Sequence, residues 1–134
     1  MNWFIGRFEH SLDEKGRVIL PKKFRDIFRS ESYISHHEDG CLALWTDNEF
    51  NEQAAKFREM GNSESKSDRN KARFWAANVQ EVKVDAQGRI AIPSYLREFA
   101  GLESEVIVNG NMNRIEFWSP TRWASVEDQP LDES

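Results

Sequence analysis

Several residue types and patterns are scarce in this chain of 134 residues, and each scarcity excludes a class of protein. A single cysteine, Cys41, excludes an internal disulfide and any zinc site built from several thiolates. No apolar run approaches the roughly 20 residues that a membrane-spanning helix needs. The first residues also lack the long apolar stretch of a signal peptide. We therefore expect a cytoplasmic protein that makes no contact with a membrane.

The sequence also lacks the patterns on which enzymes commonly depend. It has no glycine-rich phosphate loop, no cluster of metal ligands and no recognisable Ser/His/Asp arrangement. His36 and His37 are adjacent, and neighbouring residues of a strand point to opposite faces, which makes a shared metal ion difficult. We therefore expect no enzyme activity, no catalytic residues, no metal, no cofactor and no small-molecule substrate.

The charge is acidic overall but unevenly distributed. The net charge is −5, yet residues 1–30 carry seven Lys or Arg against four Asp or Glu. Residues 31–60 reverse this balance, with two basic and seven acidic side chains. Because a nucleic acid responds to the local potential, an acidic protein with a basic N-terminal part can still bind DNA.

An internal repeat organises the chain. Residues 8–28 (FEHSLDEKGRVILPKKFRDIF) match residues 80–100 (QEVKVDAQGRIAIPSYLREFA) at a constant offset. Identical pairs include Asp13 with Asp85, Gly16 with Gly88, Arg17 with Arg89, Pro21 with Pro93 and Arg25 with Arg97. With one residue inserted, Trp45 also falls on Trp118. The sequence therefore predicts two tandem modules, 1–60 with a trailing helix and 79–134, joined by a linker and connecting helix over 61–78.

The first part of each module predicts a strand, a tight turn, a second strand and a short helix. Alternating apolar residues lead into D-x-x-G-R, where the aspartate can accept hydrogen bonds from the amides of the turn and glycine supplies a positive φ. Pro21 and Pro93 end the second strands and suit the start of a helix. Gly101 is a natural C-terminal residue for the second of these helices.

The later part of each module predicts a hairpin followed by a helix. The first hairpin turns at Asp39-Gly40, and the second is expected to turn at Asn109-Gly110. Thr46 and Ser119 are suited to cap the helices that follow, and a further helix is expected over residues 68–78. Together these elements predict a β-rich α+β fold.

The segments FIGRFEHSLDEKGRVILPKKFR, DGCLALW, VQEVKVDAQGRIAIPSYLREFAGLESEVIVNG and NRIEFW together resemble the MraZ family. The relatives of that family are the AbrB/SpoVT-type swapped-hairpin DNA-binding proteins. The resemblance implies two swapped-hairpin modules that interleave into a barrel-like unit with peripheral helices, and chains that assemble into a homo-oligomeric ring. It also implies a nucleoid-associated transcriptional regulator that binds direct repeats in double-stranded DNA upstream of division and cell-wall genes, including its own.

The resemblance further implies which residues meet DNA. Arg17 and Arg89 are the expected contacts, and Asp13 and Asp85 are expected to order the turns that aim them. Arginine suits this role because its planar fork can bind guanine O6 and N7 together or hold a phosphate. Three lysines of the first module are further candidates, although solvated surface lysines are common: Lys15, Lys22 and Lys23.

Two alternatives stay open on the residues alone. Each arginine could simply pair with its own aspartate and stabilise the turn, an interaction usually worth about 0–1 kcal/mol at a surface. The chain could also be an oligomeric scaffold whose turns contact protein. Arg25 and Arg97 recur in both modules, which favours a shared structural role such as an ion pair on the helix.

Overall fold

The computed structural model describes residues 3–28 and 30–128, and its fold is α+β. The strands are β1 (Phe4–Ser11), β2 (Arg17–Ile19), β3 (Ser32–His36), β4 (Leu42–Thr46), β5 (Gln80–Val82), β6 (Arg89–Ala91), β7 (Glu105–Met112) and β8 (Ile115–Trp118). The helices are α1 (Lys22–Arg25), α2 (Asp47–Gly61), α3 (Lys66–Asn78), α4 (Ser94–Ala100) and α5 (Pro120–Glu127). A short 3₁₀ turn, Asp26–Phe28, extends α1.

The strand pairing crosses between the two halves of the repeat. Six strands form one antiparallel sheet in the order β1-β7-β8-β4-β3-β5, and β2 pairs with β6 in a separate ribbon. The first strand of each half lies beside the hairpin of the other half, since β1 pairs with β7 and β5 pairs with β3. Neither half therefore completes its own sheet.

Alternation along the strands explains where the core lies. One face of the large sheet carries Ile34, Leu44, Val108 and Phe117, none of which is exposed, and it packs against the β2–β6 ribbon and helices α1 and α4. The residues that alternate with these face the other way and meet the remaining helices. There Trp118 packs against Trp123 of α5.

The ends of the helices follow the local signals in the sequence. Pro21 and Pro93 directly precede α1 and α4, and Gly101 ends α4 with a φ of 66°. The hydroxyls of Thr46 and Ser119 each accept a hydrogen bond from the backbone amide three residues later, as expected of N-caps. Helix α3 begins two residues earlier than the pattern predicts, at Lys66.

The predicted turn at Asn109-Gly110 is wrong. Strand β7 continues through both residues to Met112, and the chain reverses only there, where Met112 has a φ of 63°. Gly110 is held in register on both sides, opposite Gly6 of β1 and Ile115 of β8. An Asn-Gly pair favours a hairpin turn only locally, and two flanking strands override it here.

A buried carboxylate on β8 is hydrogen-bonded to β7. Glu116 is 4% exposed, and its Oε1 accepts a hydrogen bond from Trp118 Nε1 at 2.9 Å. Its Oε2 accepts from Arg114 Nε at 2.9 Å and from Asn111 Nδ2 at 3.1 Å. Burial raises the pKa of Glu116, but these donors outweigh burial and the pKa lies below its ordinary value. The β7–β8 hairpin therefore contains a buried carboxylate whose two oxygens both accept hydrogen bonds.

The expected closure into a barrel is not seen in residues 3–28 and 30–128. The six-stranded sheet is open, with β1 at one edge and β5 at the other. The β2–β6 ribbon covers one face without joining these edges. Within the same described residues, no helix is long and apolar enough to cross a membrane.

Replacing Gly110 with alanine should weaken the attachment of β1. A Cβ at Gly110 would lie 2.6 Å from the backbone nitrogen of Ile5, and a backbone atom in a paired strand cannot easily move away. We expect Gly110→Ala to lower the free energy of unfolding by about 1–3 kcal/mol, measured by urea denaturation at one protein concentration.

Gly61→Ala is the matched control for that measurement. Its Cβ would meet only the Cβ of Ala72, at an ordinary 3.6 Å, so its free energy of unfolding should stay within about 0.5 kcal/mol of wild type. Equal effects of the two substitutions would contradict the close approach of β1 and β7.

Candidate nucleic-acid interface

The first D-x-x-G-R turn is ordered by one carboxylate. Asp13 Oδ1 accepts hydrogen bonds from the backbone amides of Lys15 and Arg17, both at 2.9 Å. Asp13 Oδ2 accepts from Arg17 Nε at 2.7 Å. Gly16 closes the turn with a φ of 75° and donates its amide to the Asp13 carbonyl. The aspartate therefore holds both the backbone of the turn and the side chain of its arginine.

The second turn has the same construction. Asp85 Oδ1 accepts from the amides of Gln87 and Arg89 at 2.9 and 2.8 Å, and Oδ2 accepts from Arg89 Nε at 2.9 Å. Gly88 has a φ of 83°. The predicted pairing of each arginine with its own aspartate is thus present in both turns.

The β2–β6 ribbon brings the two turns together. Its register places Arg17 opposite Ala91 and Arg89 opposite Ile19. Each strand continues past the opposite turn, because Leu20 donates its amide to the Gly88 carbonyl at 2.8 Å and Ile92 to the Gly16 carbonyl at 3.0 Å. Arg89 Nη1 lies 3.9 Å from Asp13 Oδ2. The two arginines consequently belong to one continuous site.

The two turns differ in how fully their arginines are engaged. Arg17 donates through Nε to Asp13, and the neighbouring Lys15 is itself a cation that offers no acceptor. Arg89 donates through Nε to Asp85 and also through Nη2 to Gln87 Oε1. The two arginine side chains are similarly accessible, 29% and 28% exposed. Arg17 is therefore the less restrained of the pair.

The three candidate lysines occupy different surroundings. Lys15 is exposed within the first turn, and Lys22 is exposed at the start of α1. Lys23 lies with its Nζ 5.2 Å from the centre of the Phe8 ring and 5.1 Å from that of Phe24. Lys23 thus covers two aromatic rings of the first module, whereas Lys15 is part of the turn itself.

Arg25 and Arg97 do not lie where the sequence suggested. Among residues 3–28 and 30–128 neither forms an ion pair on its own helix, and each packs against the glycine of the opposite turn, Arg25 against Gly88 and Arg97 against Gly16. Their recurrence in both modules was the available signal for a shared role, but periodicity could not show that they cross between modules.

The remaining reactive side chains lie elsewhere. Cys41 is buried, and burial raises the pKa of its thiol far above the ordinary value. His37 accepts a hydrogen bond from the amide of Asp39 through Nδ1, while the ring of His36 packs against those of Phe74 and Phe99. Across 3–28 and 30–128, no group of three or more His, Cys, Asp or Glu side chains is placed to hold a metal ion.

Both turn aspartates should titrate below the ordinary value of 3.8. Hydrogen bonds from the amides of Arg17 and Arg89 are the largest cause of the lowered pKa of Asp13 and Asp85, respectively. Because the folded pKa lies below the unfolded one, the ionised carboxylates favour folding above pH 3.8, and this contribution is lost as pH falls through the lowered values. Carboxyl ¹³C NMR titration measures the pKa of each of the two aspartates.

Arg17→Met provides the internal control for the titration. It removes the side-chain donor to Asp13, so the pKa of Asp13 should rise toward 3.8 while that of Asp85 stays low. A wild-type value of 3.8 or above for either aspartate would contradict the hydrogen bonding described for the turns.

Comparison with known proteins gives one consistent family. The model of the family described as "MraZ protein, putative antitoxin-like" matches residues 3–73 and 76–134. A "Transcriptional regulator MraZ" of Acetivibrio thermocellus is 41% identical over 122 residues, which cover 91% of this chain and 85% of the relative. The protein of the same name from Natranaerobius thermophilus is 37% identical, over 94% and 87% of the two chains. That of Lachnoclostridium phytofermentans is 36% identical, over 97% and 91%. Because the family model matches nearly the whole length of this chain, the chain belongs to the MraZ family.

Proposed function

We propose that this protein is a DNA-binding transcriptional regulator that contacts DNA with the paired turns Asp13–Arg17 and Asp85–Arg89. The observation that carries the proposal is the short antiparallel β2–β6 ribbon, which places one arginine-bearing turn at each end and brings Arg89 Nη1 to 3.9 Å from Asp13 Oδ2. The relatives are named transcriptional regulators, which agrees with this function. A transcriptional regulator is not a class of enzyme, and this supports a role without catalysis.

The two-stranded form of the ribbon and the chemistry of its arginines suit the major groove of DNA. That groove admits a two-stranded β-ribbon, and arginine donors can bind guanine O6 and N7 together. Since Asp13 and Asp85 take the Nε donors, the outer nitrogens of each guanidinium are those that would meet a base edge or a phosphate. A side chain already held in place loses less conformational entropy on binding.

The charge around the first turn supports backbone contacts. Lys15 lies in the turn beside Arg17, and Lys22 is exposed at the start of α1. Both can neutralise phosphate, a contact that positions a protein without reading sequence. Lys23, which packs over two rings, is the weaker candidate of the three. The first module therefore supplies most of the attraction to the DNA backbone.

We further propose the organisation that the family resemblance implies. Residues 1–60 and 79–134 act as two swapped-hairpin modules connected by 61–78, and the exchange of β1 and β5 between the halves supports this. The targets are direct repeats upstream of division and cell-wall genes, including the protein's own, and the protein is nucleoid-associated in the cytoplasm.

Assembly into a homo-oligomeric ring is part of the same proposal. Large apolar side chains are exposed along the open edge of the sheet, where Trp3 is 52%, Ile5 56% and Met112 48% exposed. Strand β1 is the edge strand there. Exposed apolar side chains beside a free strand edge are typical of a subunit contact.

Loss of the turn arginines should abolish sequence preference. We expect Arg17→Ala to weaken binding to DNA from upstream of the protein's own gene by about 10- to 100-fold. Arg89→Ala should cost less, because Arg89 is also engaged by Gln87. Fluorescence anisotropy at fixed salt, with a scrambled DNA of equal composition, measures both affinity and preference.

Two variants control for charge. Arg58→Ala removes a cation from α2 and should leave binding unchanged, whereas Arg17→Lys keeps the charge but lacks the planar fork and should lose preference for the native sequence. Weak binding that ignores both sequence and the turn arginines would overturn the proposal and favour a protein scaffold.

The oligomer should depend on the β1 edge. We expect sedimentation velocity to give a species several times the 15.7 kDa of one chain, and Ile5→Lys to reduce its size. Val126→Lys on α5 replaces a similarly exposed apolar residue, 44% against 56%, and should leave assembly intact. A monomeric wild type, or equal loss of assembly in both variants, would contradict this interface.

A further inference from the structure

The arginines of α1 and α4 each cover a glycine that belongs to the other module. A Cβ built on Gly16 would lie 1.3 Å from Arg97 Nη1, so the guanidinium of Arg97 fills the space that a side chain at Gly16 would need. A Cβ built on Gly88 would likewise lie 2.4 Å from Arg25 Nε. The contact occurs twice, once in each direction.

A hydrogen bond to the backbone ties Arg25 to the ribbon. Arg25 Nε donates to the Leu20 carbonyl at 2.9 Å, and the Leu20 amide donates to the Gly88 carbonyl at 2.8 Å. Arg25 therefore joins the end of β2 to the second turn, whereas the hydrogen bonds of Asp85 act within that turn alone.

We propose that Arg97 positions the first turn and Arg25 the second, crosswise between modules. This inference rests on the proposed function, since it assigns the groups that aim Arg17 and Arg89. The aspartates fix the internal shape of each turn, but a turn at the end of a two-stranded ribbon can still tilt as a unit. A planar guanidinium lying against the glycine restricts that tilt directly beside the arginine that meets DNA.

Glycine has two reasons to occupy positions 16 and 88. Its positive φ closes the turn, and its missing side chain admits the arginine from the opposite module. The first reason is local and visible in D-x-x-G-R. The second links Gly16 to Arg97 across the repeat and has no local signature.

The free protein gives the first test, which needs no DNA. We expect Arg97→Met to shift the ¹⁵N and ¹H resonances of Gly16 and Arg17 and to speed their amide exchange by about ten-fold, with little change at Gly88. Arg25→Met should do the reverse. Arg58→Met, on α2, removes the same charge and should move neither turn.

DNA binding gives the second test through double-mutant cycles. We expect Arg97→Met to weaken binding by about five-fold in the wild-type background and in Arg89→Ala, but hardly at all in Arg17→Ala. Arg25→Met should couple to Arg89 and not to Arg17. Arg97→Lys keeps the charge without the planar group and should restore less than half of the lost affinity.

The outcomes separate positioning from direct contact with phosphate. If Arg97→Met leaves the first turn unchanged in the free protein, or weakens binding equally in all backgrounds, or is fully rescued by lysine, the crosswise role is wrong. If neither Arg17→Ala nor Arg89→Ala affects binding, the proposed function fails instead, and the resonance shifts still decide whether the arginines hold the turns.

Discussion

The pairing of β2 with β6 is the interaction on which both the core and the candidate interface depend. Each strand has only three residues, and each finds its partner in the other half of the repeat. Val18 and Ile90 are buried where the strands meet, with 0% and 1% of their surface exposed. Because the register is set by backbone hydrogen bonds, the separation of the two arginine-bearing turns is fixed by the ribbon and not by a loop. The spacing of the two turns along the ribbon therefore does not depend on the length of any loop.

The candidate interface carries acidic as well as basic side chains, in a chain whose net charge is −5. Each turn carries an aspartate that offsets part of the charge of its own arginine, which lowers long-range attraction to DNA. In exchange, the arginine is already held in one orientation before it meets a ligand. Such an arrangement favours discrimination between sequences over tight, indiscriminate binding. In the proposed complex, the exposed Lys15 of the first turn would offset part of this loss.

Local chemistry was the predictable part of this structure. The two turns, their Asp–Arg pairs and the helix starts after Pro21 and Pro93 follow from short patterns that occur twice in the chain. Strand partners were not predictable, because a period of two indicates a strand without naming its neighbour. The same limit explains the failure at Asn109-Gly110, where pairing on both sides overrides a local turn signal. It also explains why the crosswise contacts of the helix arginines stayed hidden.

The difference between Lys15 and Gln87 gives the paired turns a direction. Two identical chains would have to present identical turns, and their combined site would look the same after a half rotation. Here both turns belong to one polypeptide, so each can change while the other stays constant. One end of the ribbon carries a freer arginine beside a lysine, and the other an arginine held by glutamine. The two ends of the ribbon are consequently different, and a DNA complex of the proposed kind would have a defined orientation on an asymmetric site.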